Sequence, residues 1–205
     1  MIRRPVYRKE TPSQTAGPYV HIGCVPNFCG VGGVLAEDLG ASMLTPETKG
    51  ERIAIRGAVF DGAGAALKDA MVEIWQADAA GLYNSPAETR GAADPHFTGF
   101  GRKAGDYETG EWLFETIRPG PVPFPDGRMQ APHVTFWIVA RGINIGLQTR
   151  MYFPDDEAAL KADPILSRLE HQSRASTLIA AKTGPADYRF DIRIQGEDET
   201  IFFDC

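Results

Sequence analysis

The sequence predicts an all-β protein, a β-sandwich with long connecting loops, an N-terminal arm and one or two short helices in its last third. Three observations lead there. Turn formers are abundant, with 22 glycines and 15 prolines among 205 residues, well above the roughly 12% of an average chain. Short segments of alternating or continuous apolar residues recur between those turn formers, which is strand grammar. No apolar helical repeat is sustained over several turns, so long core helices are excluded.

Taken in order, residues 1–50 read as arm and loop. TPSQTAGPYVHIG at 11–23 mixes turn formers with a short β-prone run, and Gly17-Pro18 fixes a bend. Gly30, Gly32, Gly33 and Gly40 lack the spacing of a nucleotide loop and read as a surface loop. From residue 51, Ile53, Ile55 and Val59 alternate with polar neighbours, Asp61-Gly62 offers a turn, and 71–76 is a second strand with Trp75 as a core aromatic. Residues 78–102, with Tyr83 and His96, form a loop long enough to be functional or interfacial.

A strand at 112–117 leads into a loop at 118–130 whose four prolines and two glycines fix a backbone path and allow close approach. Residues 133–140 are almost continuously apolar, as for a strand buried on both faces, and 144–153 alternate. Asp155, Asp156 and Glu157 read as a helix start, followed by a short helix over 164–171 with an exposed His171. The strict alternation from Tyr188 to Gln195, then 200–204, reads as a closing hairpin. With no repeat and no linker, residues 1–205 form one domain, 1–50 as arm and loops and 51–205 as sandwich core.

The formal charge of −6 is spread without a basic block, which removes the electrostatic footprint of a nucleic-acid or anionic-membrane binder. Arg3, Arg4, Arg8 and Lys9 form the one basic cluster, a solvated arm or a partner contact. No apolar run approaches the ~18 residues of a membrane span, and no apolar signal region opens the sequence, so a cytoplasmic location is expected. Cys24, Cys29 and Cys205 are an odd number, which favours reduced thiols. Cys24 and Cys29 with His21 make three side chains, one short of the four ligands of a structural zinc site.

No nucleophile elbow, dinucleotide fingerprint or phosphate loop is present. What remains is the neighbourhood of Tyr83, Val122, Gln130, His133 and Thr135, which looks like a metal site with most of its ligands missing. His133 and Thr135 stand two apart, so on a strand they share a face. A second histidine at 135 would complete a chelating pair, and threonine cannot play that part.

DAMVEIWQADAAGLYNSP, GEWLFETIRPGPVP, APHVTFWIVARGINIGLQTRMYF and YRFDIRIQGEDETIFFD resemble the intradiol ring-cleavage dioxygenases over about residues 11–204. TPSQTAGPYVHIG, ARGINI and FDIRIQGE are similar to the alpha chains of the family's heteromeric, protocatechuate-cleaving members. The resemblance implies a β-sandwich of the intradiol dioxygenase type. It also implies a ferric ion held, in iron-bearing chains, by two tyrosines and two histidines. Tyr83 and His133 match two of those positions, while Val122, Thr135 and Gln130 stand where a tyrosine, a histidine and an arginine are expected. Ferric iron favours anionic oxygen ligands, so this chain is expected to hold no metal and no catalytic residue of its own.

The resemblance further implies a partner beta chain that carries Fe(III) in a higher-order hetero-oligomer. The pair inserts both atoms of O2 into protocatechuate, a small aromatic acid, and gives 3-carboxy-cis,cis-muconate. This chain's part is a wall of the substrate cavity made by Thr15, Gly17, Pro18, Tyr19 and Arg141. The residues alone leave Arg141 open as a solvated turn arginine. Two other readings stand beside this one: a free-standing transthyretin-like module that holds a small aromatic ligand without catalysis, and an active metalloenzyme with an unusual ligand set.

Overall fold

The structure is a computed structural model that describes residues 14–144 and 146–204. The basic cluster at Arg3–Lys9 and the thiol of Cys205 lie outside the described residues. The strands are β1 (Arg52–Phe60), β2 (Met71–Trp75), β3 (Phe100–Ala104), β4 (Glu111–Ile117), β5 (Val122–Pro123), β6 (Met129–Gln130), β7 (His133–Val139), β8 (Leu147–Tyr152), β9 (Ala181–Lys182), β10 (Asp187–Arg189) and β11 (Ile192–Arg193). The helices are α1 (Pro18–Cys24) and α2 (Glu157–Ala162), with 3-10 turns at Leu166–Arg168 and Gln172–Leu178.

Two sheets enclose the core. In one, β1 pairs antiparallel with β4 on one side and parallel with β10 and then β11 on the other, and β9 joins at the edge. The other is antiparallel in the order β3-β2-β7-β8. Ile53, Ile55, Trp112 and Phe114 from the first sheet meet Val72, Ile74, Val134, Phe136 and Ile138 from the second, all buried. Trp112 and Phe190 both lean on Phe136, with ring centroids 5.5 and 5.2 Å apart. Gly57 makes this closeness possible, because a Cβ there would lie 2.0 Å from the Phe190 carbonyl oxygen.

Several local expectations change. Residues 18–24 form a helix, not a β-prone run: Pro18 takes the first helical position, where its missing N–H costs nothing, and Val20 and Cys24 pack on Met71 and Val139. The long loop after β2 gives way at residue 100 to β3, held by β2 despite the weak β-propensity of Gly101 and Lys103. β7 is not buried evenly on both faces: its inner residues Val134, Phe136 and Ile138 are fully buried, whereas on the outer face Trp137 is 37% exposed between a partly buried Thr135 and a buried Val139. The closing hairpin is absent. Residues 187–193 divide into β10 and β11, both parallel to β1, and 200–204 carry no strand, though Thr200 and Arg193 exchange two hydrogen bonds. Asp156 caps α2 by accepting from Ala159 N at 2.9 Å, as the acidic start predicts. Asp155 is engaged elsewhere: it receives Arg118, Lys182 and the Tyr188 hydroxyl.

Candidate functional site

The outer face of the β3-β2-β7-β8 sheet carries the candidate residues. Cross-strand register places Phe100, Trp75, Thr135 and Arg150 in one row across it, with neighbouring Cβ atoms about 5 Å apart. His133 and Tyr152 stand in the next position along the strands, rings 5.7 Å apart. At the far end of the same face, Met71 and Val139 receive the arm helix. One sheet face thus carries both regions that the sequence singled out.

The first region surrounds Tyr83. Its loop is pinned by the buried carboxylate of Asp78, which accepts from Ala80 N, Leu82 N and Asp94 N at 2.8–2.9 Å. Gly81, at φ +79°, brings this loop so close to the proline loop that a Cβ would lie 2.2 Å from Pro121 O; the expected close approach of backbones occurs here. Tyr83 stacks on Trp75 at 5.9 Å. Trp75 is partly buried and lines a pocket wall instead of being a core aromatic. The pocket holds about 520 Å³ and is bounded by Trp75, Tyr83, Val122 and Phe124, with Glu88 and Arg90 at its rim.

Gln130 is the register partner of Val122. His133 is 4% exposed and its Nδ1 lies 2.8 Å from Ala131 O, a satisfied buried imidazole. Burial, reinforced by the Arg150 charge, lowers its pKa to about 4. Burial raises the Tyr83 phenol, with the Arg150 and Arg90 cations opposing. Arg150, which the sequence reading passed over, donates through Nη1 to Gln130 Oε1 at 2.8 Å. Its only sequence signal is its place on an alternating strand, visible as a site position once Thr135 is known to be its cross-strand partner.

The second region joins the arm to the turn after β7. Thr15 Oγ1 accepts from Gly142 N at 2.9 Å and donates to Ala140 O at 3.3 Å, and Gln14 N donates to Asn144 Oδ1 at 2.7 Å. These bonds clamp the turn that carries Arg141. Arg141 Nε donates to Asp69 Oδ2, and both residues border a pocket of about 630 Å³ with His21, Ile22, Lys68 and Tyr107. Tyr19 is 83% exposed, and a Cβ on Gly17 would meet nothing within 4 Å. Pro18 opens α1 between them. Thr15 is thus brought to the turn of Arg141, with Gly17, Pro18 and Tyr19 following it along the chain. Asp69 was missed, because a lone acidic residue in a turn carries no signal until its partner is known.

Residues 25–196 match the family model described as Dioxygenase. The chain belongs to the intradiol ring-cleavage dioxygenase family. It is 44% identical over 198 residues to the protocatechuate 3,4-dioxygenase alpha chain of Pseudomonas putida, covering 95% of this chain and 96% of that one. It is 35% identical over 182 residues to the beta chain of protocatechuate 3,4-dioxygenase from Burkholderia cepacia, covering 80% and 77%. The fold is also that of the intradiol ring-cleavage dioxygenase of Tetranychus urticae, with a TM-score of 0.57, 18% identity and coverage of 78% and 89%.

The residues present do not fit the iron that this intradiol family implies. Of the four matched ligand positions, Val122 offers no donor and Thr135 only a neutral hydroxyl. The Gln130 carboxamide oxygen is already taken by Arg150. One phenol and one imidazole leave a ferric ion far short of its ligands. Among the described residues no group of three His, Cys, Asp or Glu side chains converges on another metal position, and no helix is long and apolar enough to cross a membrane.

Proposed function

We propose that this chain is the iron-free alpha subunit of a protocatechuate 3,4-dioxygenase, a single domain with an N-terminal arm. Joined to a beta chain that carries Fe(III), it completes the site where protocatechuate and O2 give 3-carboxy-cis,cis-muconate. The observation that carries the reading is the near end-to-end match to an alpha chain in a chain whose own ligand positions include Val122 and Thr135. The resemblance of residues 83–135 to an iron site is then the remnant of a duplicated scaffold.

In this assembly Thr15, Gly17, Pro18, Tyr19 and Arg141 form the alpha-chain wall of the substrate cavity. Arg141 supplies positive charge to a carboxylate, Thr15 holds its turn, and Gly17 and Tyr19 present open surface to a neighbour. Exposed apolar side chains follow directly along the chain, including Ile22, Phe28, Val34 and Leu39, which suits a face covered in a hetero-oligomer.

Co-expression with an iron-bearing beta chain tests the reading. The expected result is a co-purifying heteromer that consumes O2 with protocatechuate, while the chain alone is inactive and self-associates. A soluble monomer that never joins a beta chain would overturn it.

A further inference from the structure

Asp69 is a carboxylate beside the arginine that the subunit reading turns toward an anion. A like charge there weakens the attraction that it borders, so its presence calls for another role. Folding stability does not supply one, because the side chain of Arg141 is 74% exposed and ion pairs so open to water contribute little. The topology brings the two residues together. Continuing the antiparallel register of β2 and β7 two positions past the Met71–Val139 pair sets Asp69 opposite Arg141. The backbone is held on both sides of that match. Ala70, fully buried, donates its N–H to Leu67 O at 3.1 Å and accepts from Gly105 N at 2.8 Å, while Thr15 ties Ala140 and Gly142 on the other side. Between these two fixed turns Asp69 Oδ2 accepts the Nε–H of Arg141, and among the described residues the Asp69 side chain makes no other hydrogen bond.

Resting on the reading of Arg141 as the group that receives the substrate carboxylate, we propose that Asp69 is the positioning residue of that arginine and so sets the preference for carboxylated over plain catechols. An exposed arginine visits many rotamers, and that freedom is lost when the guanidinium clamps an anion. A carboxylate on Nε removes much of it before substrate arrives. Nε is also the nitrogen that can be given up, because Nη1 and Nη2 still present a parallel pair of N–H donors to a second carboxylate. The two effects of Asp69 therefore oppose each other. Its charge repels the substrate anion, and its hydrogen bond prepares the arginine for it. The positioning role requires that the second effect prevail.

The test uses the assembled heteromer carrying Asp69→Ala, Asp69→Asn, Arg141→Ala, or Asp69→Ala together with Arg141→Ala, assayed on protocatechuate and on plain catechol. Asparagine keeps an acceptor oxygen for the Nε–H and drops the charge, whereas alanine drops both. Asp69→Ala is expected to raise KM for protocatechuate about two- to tenfold, the range for one side chain left to be immobilised on binding. Its kcat should stay near parental, and KM for catechol should not move. Asp69→Asn should bring KM for protocatechuate back to the parental value or below. Added to Arg141→Ala, Asp69→Ala should have no further effect, because the arginine it positions is gone. A lower KM with both alanine and asparagine would mean that Asp69 acts through its charge alone and overturns the proposal. Equal rises on the two substrates, or no rise with alanine while Arg141→Ala impairs protocatechuate, overturn it as well. If Arg141→Ala itself spares protocatechuate, the assignment of Arg141 fails and the role of Asp69 falls with it. Asp69→Leu, close in size and without an acceptor, takes the place of alanine if the alanine variant does not assemble.

Discussion

Asp69 accepts the Nε–H of Arg141 through Oδ2, which leaves both terminal amino groups of the guanidinium without a bond among the described residues. An arginine held by Nε is oriented without being used up, because a carboxylate can still be met by its free edge. Arg141→Ala in the assembled enzyme should therefore lower kcat/KM for a carboxylated catechol by about 10- to 100-fold, the range of a charged hydrogen bond worth about 1.5–3 kcal/mol. An uncarboxylated catechol should be almost unaffected. Because the Arg141 side chain is 74% exposed, thermal melting should not move. Equal losses on both substrates would contradict the assignment.

Thr15 acts on the same group from a distance. Its hydroxyl ties Gly142 N and Ala140 O on either side of Arg141. Thr15→Val keeps the shape and removes the clamp, so KM for the carboxylated substrate should rise several-fold while kcat stays near parental. The cost in stability should be about 1 kcal/mol, that of one ordinary hydrogen-bonding group. Steady-state kinetics with parallel melting curves separate the two effects.

Asp155 is expected to behave as a structural residue. It accepts from Arg118 Nη1 and Lys182 Nζ at 2.8 Å and from the Tyr188 hydroxyl at 2.7 Å. Partial burial pushes its pKa up, but the hydrogen bonds from Lys182, Tyr188 and Arg118 outweigh that and hold it below the usual carboxylate range. Asp155→Ala leaves Arg118 and the Tyr188 hydroxyl facing each other without their common acceptor and should cost about 2 kcal/mol in urea unfolding. Activity per folded heteromer should not change, and an activity loss without destabilisation would argue against the structural role.

The architecture was largely legible because strand periodicity and turn chemistry depend on neighbours a few residues away. The run carrying Ile53 and Ile55 forms an inner face as its alternation predicts, and the strands expected around Val72 and Ile74 and around Val134 and Phe136 are present as well, the last with Trp137 exposed on a face expected to be buried. What misled was decided at long range. The arm helix forms where Val20 and Cys24 find Met71 and Val139, β3 exists because β2 holds it, and residues 187–193 divide because both pieces pair with β1. The candidate site shows the same division. Tyr83, Val122, His133 and Thr135 were found as motif positions, whereas Arg150 and Asp69 acquire meaning only through partners 20 and 72 residues away.

His133 provides a pH test of the remnant pocket. Its imidazole is buried and neutral, with a folded pKa lowered to about 4 from the ordinary 6.5. Between these values the unfolded chain binds a proton that the folded chain refuses, so acid favours unfolding there. The contribution is fully present above pH 6.5 and is lost progressively as pH falls to about 4, by roughly 3 kcal/mol for a shift of this size. His133→Gln removes the titrating group, so its unfolding free energy, though lower at pH 7, should decline less steeply across this window. Asp155, with its pKa held low, contributes its own loss only below about pH 4, the ordinary carboxylate value, so the two slopes separate. Urea unfolding of parent and variant at pH 7, 6, 5 and 4.5 measures the difference, and parallel slopes would show that the imidazole is not held neutral.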